Sequence, residues 1–206
     1  MSDAPAEAKA KVARRLPILP RALAAWGGMR ASMAAELKER PPEGRLLAYI
    51  VIALIILWAS SIPSTMRTAM AQGEMAVDAA IGMSFGLYLL IMPLFYYGLA
   101  VGLRVLSRLF GGRAGFYEHR LALFWGMLVS MPALVALNAA TLLVDMPQVW
   151  NGLSALATAV VVGHMLAEAN GYRSVWRGVA HAVSLGAVLL ALVAGLGTLA
   201  SIAPGG

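Results

Sequence analysis

Cysteine is absent from all 206 residues, which removes disulfides, thiolate catalysis, iron–sulfur clusters and cysteine zinc sites together. Charge is scarce as well: 13% of residues are Asp, Glu, Lys or Arg, against about 25% in a soluble domain. There are three histidines and ten acids, too few to suggest a chain of protonatable groups. No nucleotide loop, catalytic triad or haem-attachment motif occurs, and no segment alternates with the period of two that a barrel strand needs. What is abundant is apolar: 60% of residues are hydrophobic and the mean hydropathy is +0.76. Water alone cannot solvate such a surface, which excludes a soluble enzyme, a disordered tail and a free-standing nucleic-acid binder. The net charge of +6 and the pI near 10.1 then report membrane topology rather than nucleic-acid contact.

A helix needs about 20 apolar residues to cross a hydrocarbon core of about 30 Å. Five segments qualify or nearly do: 46–62, closed by Pro63; 75–103, containing Pro93; 121–143, containing Pro132 and Asn138; the short 149–167; and 178–203. The second would measure about 43 Å at 1.5 Å per residue, so it should tilt, kink or protrude. The expected class is all-α and polytopic, with a five-helix transmembrane domain over 45–203. Fifteen of the sixteen Lys and Arg residues fall in 1–45, 104–120 and 168–177, which a five-helix path puts on one side; Arg67 stands alone on the other. The positive-inside rule then puts the N-terminus in the cytoplasm and the C-terminus outside. Arginine predominates over lysine, and alanine and glycine abound, a composition that hints at a GC-rich bacterial genome; the expected location is a bacterial inner membrane.

Residues 1–17 have almost no apolar bulk and read as a disordered cytoplasmic tail. Over 18–40, Leu19, Leu23, Trp26, Met29, Met33 and Leu37 recur at spacings of three and four, one helical face. Pro41-Pro42 ends that helix. The spacing predicts an amphipathic helix in the cytoplasmic interface, with Arg14, Arg15, Arg21, Trp26 and Arg30 toward anionic headgroups. The same face could instead pack on the protein's own loops.

Small residues mark candidate helix-packing faces. Gly82/Gly86 and Gly98/Gly102 form two pairs on the second span, about 160° apart on a regular helix, so that helix reads as central with a neighbour on each side. Ala155/Ala159/Gly163 and Ala187/Ala191/Gly195 form further stripes. Internal packing and a partner subunit both suit them. Asp78 reads as a helix-start residue, favoured there by the helix dipole, and Asn138 as a hydrogen bond to another helix. His164, Glu168 and His181 could in principle form an open metal site, but without the spacing of a known zinc motif the expectation is no metal, no cofactor and no enzyme.

Residues 85–185 resemble the Yip1 domain family, in its short alphaproteobacterial form. The resemblance is carried by Pro93-Leu94-Phe95-Tyr96-Tyr97-Gly98-Leu99-Ala100, by the turn Arg108-Leu109-Phe110-Gly111-Gly112-Arg113, by Phe116-Tyr117, and by Arg120-Leu121-Ala122-Leu123-Phe124-Trp125 running to Ser130-Met131-Pro132. It implies five spans with a cytoplasmic N-terminus and supplies no catalytic residue. Eukaryotic members are implicated in binding Rab-type GTPases through a longer N-terminal region; this short basic tail lacks it, so that activity does not carry over. The loop with Arg104, Arg108, Phe110, Arg113, Phe116, Tyr117 and Arg120 suits lipid headgroups or a protein partner. The favoured function is a non-catalytic scaffold or accessory subunit that docks to a larger membrane assembly, with homo-oligomerisation open. A small transporter or channel is the alternative, and a metal-dependent membrane enzyme the second.

Overall fold

The computed structural model describes residues 17–72, 76–144 and 146–202, with the side chains of 72, 147 and 189–202 excepted. No strand occurs among the described residues. In chain order come α1 (Ile18–Ala24), α2 (Met29–Glu39), α3 (Glu43–Gln72), α4 (Val77–Gly86), α5 (Met92–Ser107), α6 (Phe116–Ala140), α7 (Pro147–Ala169) and α8 (Val175–Ile202). A π-helical turn, Leu87–Ile91, joins α4 to α5 into one rod. Four helical stretches are long and apolar enough to cross a membrane: Glu43–Ala71, Val77–Phe110, Phe116–Ala140 and Gln148–Ala169.

The prolines act differently from expectation. Pro63 does not close the first span; α3 continues through it to Gln72. Pro63 withdraws the donor that the Ala59 carbonyl would otherwise receive, yet the helix does not end there. Pro93 sits just past the π turn, at the start of α5. One wide turn absorbs about one additional residue, rotating everything beyond it by on the order of 100° relative to an unbroken helix. The two glycine pairs are therefore not on opposite faces of one regular helix.

The centre of the bundle is α6, not the second span. Every residue from 121 to 131 is buried, Phe124 and Trp125 completely, because α1, α2, α3, α5 and α7 all pack around this half. By contrast 11% of the apolar stretch of the second span is buried, against 67% for α6. The reason is steric: α4 touches the bundle mainly along α3, through Trp58, whose ring meets Phe85 edge-on and whose Nε1 donates to Ser84. Asn138 Nδ2 donates to Ser60 Oγ at 2.8 Å, linking α6 to α3 as its depth suggested. Asp78 lies exposed in the first turn of α4.

One end of the bundle is tightly built. Residues 17–45, the end of α5, the start of α6, the end of α7 and the start of α8 meet there, as Tyr117 Oη to the Pro41 carbonyl (2.6 Å), Arg120 to Glu43 (2.8 Å) and Arg30 to Glu168 (2.8 Å) record.

Candidate functional site

The N-terminal segment is two helices broken at Gly27-Gly28 rather than one helix over 18–40. The anticipated apolar stripe divides: Met33 is buried and Met29 and Leu37 pack on the core. Leu19, Leu23 and Trp26 are exposed, while Arg21, Ala22, Ala25, Met33 and Glu36 are buried. Two alanines allow close approach to α6, and the charged pair is sheltered by mutual contact. Arg21 reaches Glu36 at 3.0 Å, Glu39 at 3.2 Å and Tyr49 Oη at 2.6 Å, with its guanidinium 5.3 Å from the Trp125 ring centroid. Glu39 is also bound by Arg45. Burial pushes the Glu36 carboxyl above 4.5 despite the attraction of Arg21. The more accessible Glu39 is held below that value, first by its hydrogen bond from Arg45.

Several arginines assigned to lipid contact are therefore engaged internally. Arg21 is buried, Arg30 binds Glu168, and Arg120 binds Glu43 while lying 4.5 Å over the Phe116 ring. Tyr117 anchors the Pro41 carbonyl beneath Arg40, 5.5 Å from the ring. Phe110 stacks on His181 at 5.2 Å. Arg108 and Arg113 are exposed and Arg104 is half-buried, and none makes an ion pair among the described residues. Arg14 and Arg15 lie outside the described residues.

The small-residue stripes divide into two kinds. A Cβ added at Gly163 would lie 2.7 Å from the backbone of Val179, and at Gly178 it would lie 2.0 Å from the Gly163 carbonyl oxygen. That is the close crossing of α7 and α8. Gly126 makes a similar crossing of α6 with α7, against Val162. Gly102 meets Leu185. Gly82, Gly86 and Gly98 instead have no atom within 4 Å of an added Cβ. Ala155 and Ala187 are exposed and Ala159 is half-buried; the side-chain surroundings of Ala191 and Gly195 lie outside the described residues. Gly126 and Gly178 went unread although each lies in a small-residue spacing of four, Ala122/Gly126/Ser130 and Ser174/Gly178/Ala182, because serine and alanine partners mark a stripe less visibly than paired glycines.

The histidines do not assemble as His164, Glu168 and His181. The Nδ1 of His164 is 2.8 Å from the Val160 carbonyl, Glu168 is taken by Arg30, and His181 Nε2 lies 2.7 Å from the Leu103 carbonyl. The partner of His181 is His119, with ring centroids 5.8 Å apart, and Tyr172 packs on the same ring at 6.4 Å. Both histidines are wholly buried. A carbonyl only accepts, so the proton of each neutral ring sits on the bonded nitrogen: Nδ1 in His119, facing Gly115 O, and Nε2 in His181. His119 Nε2, His181 Nδ1 and Tyr172 Oη then have no protein partner. Burial raises the Tyr172 hydroxyl above its ordinary pKa, which keeps it neutral. Two acceptors and one hydroxyl are thus left without a protein partner in this cluster of rings. Charges of both signs, Arg104 and Glu118, act on His119, and Arg177 acts on Tyr172. Among the described residues no three His, Cys, Asp or Glu side chains are gathered. Nothing in the spacing of His119 and His181 announces their contact; it depends on how α6 and α8 converge.

Comparison with family models, with curated proteins and with solved structures yields no match.

Proposed function

We propose that this chain is a non-catalytic integral membrane scaffold or accessory subunit that docks, through the face of α4–α5, to a transmembrane helix of a larger membrane protein assembly. The observation that carries the reading is the open state of Gly82, Gly86 and Gly98. In lipid, small residues bring backbones close enough for dispersion contacts and weak hydrogen bonds. The glycines at 126, 163 and 178 are used in that way within the bundle, whereas a Cβ added at any of these three would touch no other part of it. They lie on a rod of 34 residues, about 51 Å long, that is scarcely buried. Close-packing surface left open on the least buried helix fits a partner helix better than it fits lipid alone.

The same proposal takes α8 as a fifth span, since its 28 helical residues cover about 42 Å. With the basic end at the cytoplasm, the N-terminus lies inside and the C-terminus in the periplasm of a bacterial inner membrane. That layout is also the one implied by the Yip1-like motifs. Reporter fusions after Gly206 test it, and a cytoplasmic C-terminus overturns it. Docking is tested by mild solubilisation of a tagged chain, native electrophoresis and identification of co-migrating proteins. A stoichiometric partner lost in Gly82→Leu and Gly98→Leu supports the reading. Recovery of the chain alone, or only of further copies of itself, overturns it.

A further inference from the structure

The charge left open at the tight end of the bundle is concentrated where two loops join. The Ala114 amide donates to Asn170 Oδ1 at 3.3 Å, and an added Cβ at Gly112 would lie 2.3 Å from that oxygen and 2.7 Å from Tyr172 Oη. The turn after α5 and the connection between α7 and α8 thus form one continuous surface. Arg108 and Arg113 come from the first, Arg173 and Arg177 from the second, and all four are exposed. Among the described residues none of the four has an acidic partner, unlike Arg21, Arg30, Arg45 and Arg120. Two large apolar side chains stand among them: Leu109 is 80% exposed and Trp176 is 75% exposed.

We infer that this two-loop surface binds the phosphate headgroup of an anionic phospholipid. Guanidinium groups present paired donors to phosphate oxygens, and four uncompensated ones supply the charge that a zwitterionic headgroup does not require. Leu109 and Trp176 decide between a lipid and a soluble anion. A soluble ligand would leave both in water, whereas at the boundary of a bilayer the leucine meets acyl chain and the indole sits at headgroup level. Of the N-terminal arginines that the sequence alone would assign to this task, Arg21 and Arg30 are bound to acids within the bundle, whereas Arg108 and Arg113 of the loop are left open. The inference rests on the chain spanning a membrane and is independent of docking to a partner.

The full chain, purified alone in detergent, is titrated with phosphatidylglycerol, with phosphatidylcholine and with inorganic phosphate, and bound lipid is counted by native mass spectrometry. Phosphatidylglycerol should be retained in preference to phosphatidylcholine, with phosphate failing to compete. The double variant Arg113→Gln/Arg173→Gln should lower retention about tenfold or more, while Arg67→Gln at the opposite end leaves it unchanged. Since the substituted side chains are exposed, unaltered thermal unfolding certifies the fold. Equal retention of the two lipids, an unaffected double variant, or phosphate competing as well as the lipid would each overturn the assignment. Extraction of the native chain from membranes by alkaline carbonate would instead overturn the membrane-spanning premise.

Discussion

The indole Nε1 of Trp26 donates to the backbone carbonyl of Val129 at 2.8 Å, across 103 positions of sequence. Val129 lies three residues before Pro132, which withdraws an N–H from this turn of α6 and crowds the carbonyl of Leu128. The turn after α1, Ala25–Gly27, therefore supplies a donor to the helix wall where proline has disturbed the ladder. The N-terminal segment is held to the bundle by this bond, by Trp125 Nε1 to Ser32 Oγ at 3.0 Å, and by the Arg21 cluster.

Trp26→Phe keeps the ring and removes the donor. It should lower stability by about 0.5–1.5 kcal/mol and speed amide exchange in α1 more than in α7. Thermal unfolding with hydrogen exchange checks it, and equal exchange rates across the chain would refute the anchoring role.

Glu36→Gln should change the slope of stability against pH. With its folded pKa above 4.5, Glu36 contributes stability that is present below 4.5 and lost as pH rises through the raised value. Glu39, held below 4.5, contributes in the opposite sense, present above 4.5 and lost as pH falls through its lowered value. The variant should therefore show a flatter decline on the alkaline side and an unchanged loss on the acid side. Denaturant midpoints from about pH 3 to about pH 8 measure this, and parallel curves for the two proteins would contradict it.

Gly163→Ala and Gly98→Ala should part company. The first forces a methyl onto the backbone of Val179 and should cost about 1–3 kcal/mol. The second meets nothing, so the isolated chain should change by less than about 1 kcal/mol while recovery of a partner falls. Equal destabilisation of the isolated chain would mean that Gly98 is already packed.

Gly112→Ala should uncouple the two basic loops. Asn170 must move to admit the methyl, losing the hydrogen bond from Ala114, a loss of about 1 kcal/mol. Trypsin should then cut sooner after Arg113 and Arg173. Cleavage at the wild-type rate would show that the loops are not joined through Asn170.

Apolar run length and charge placement made the long helices legible, because a 30 Å hydrocarbon layer imposes length directly on the sequence. Asn138 was readable for the same reason: a lone amide deep in an apolar run requires a partner. The hub was not readable. Glycine pairs drew attention to the second span, yet burial is decided by which helices converge, and α6 carries a single inconspicuous Gly126. The N-terminal face was legible in part, since Met29, Met33 and Leu37 pack on the core, but spacing counts apolar residues and cannot register that Arg21 and Glu36, fifteen positions apart, pair inside. His119 and His181 meet only through tertiary approach.

The uneven burial of α6 bears on how the molecule meets bilayers of different thickness. Its first half is gripped on every side, while beyond Met131 Leu134 alone of its residues is buried, and the start of α7 is largely exposed. The helices are clamped at one end and only loosely apposed at the other, like the tines of a fork. Hydrophobic mismatch acts on whole spans, and at the loosely apposed end fewer protein contacts set the distances between helices than at the clamped end.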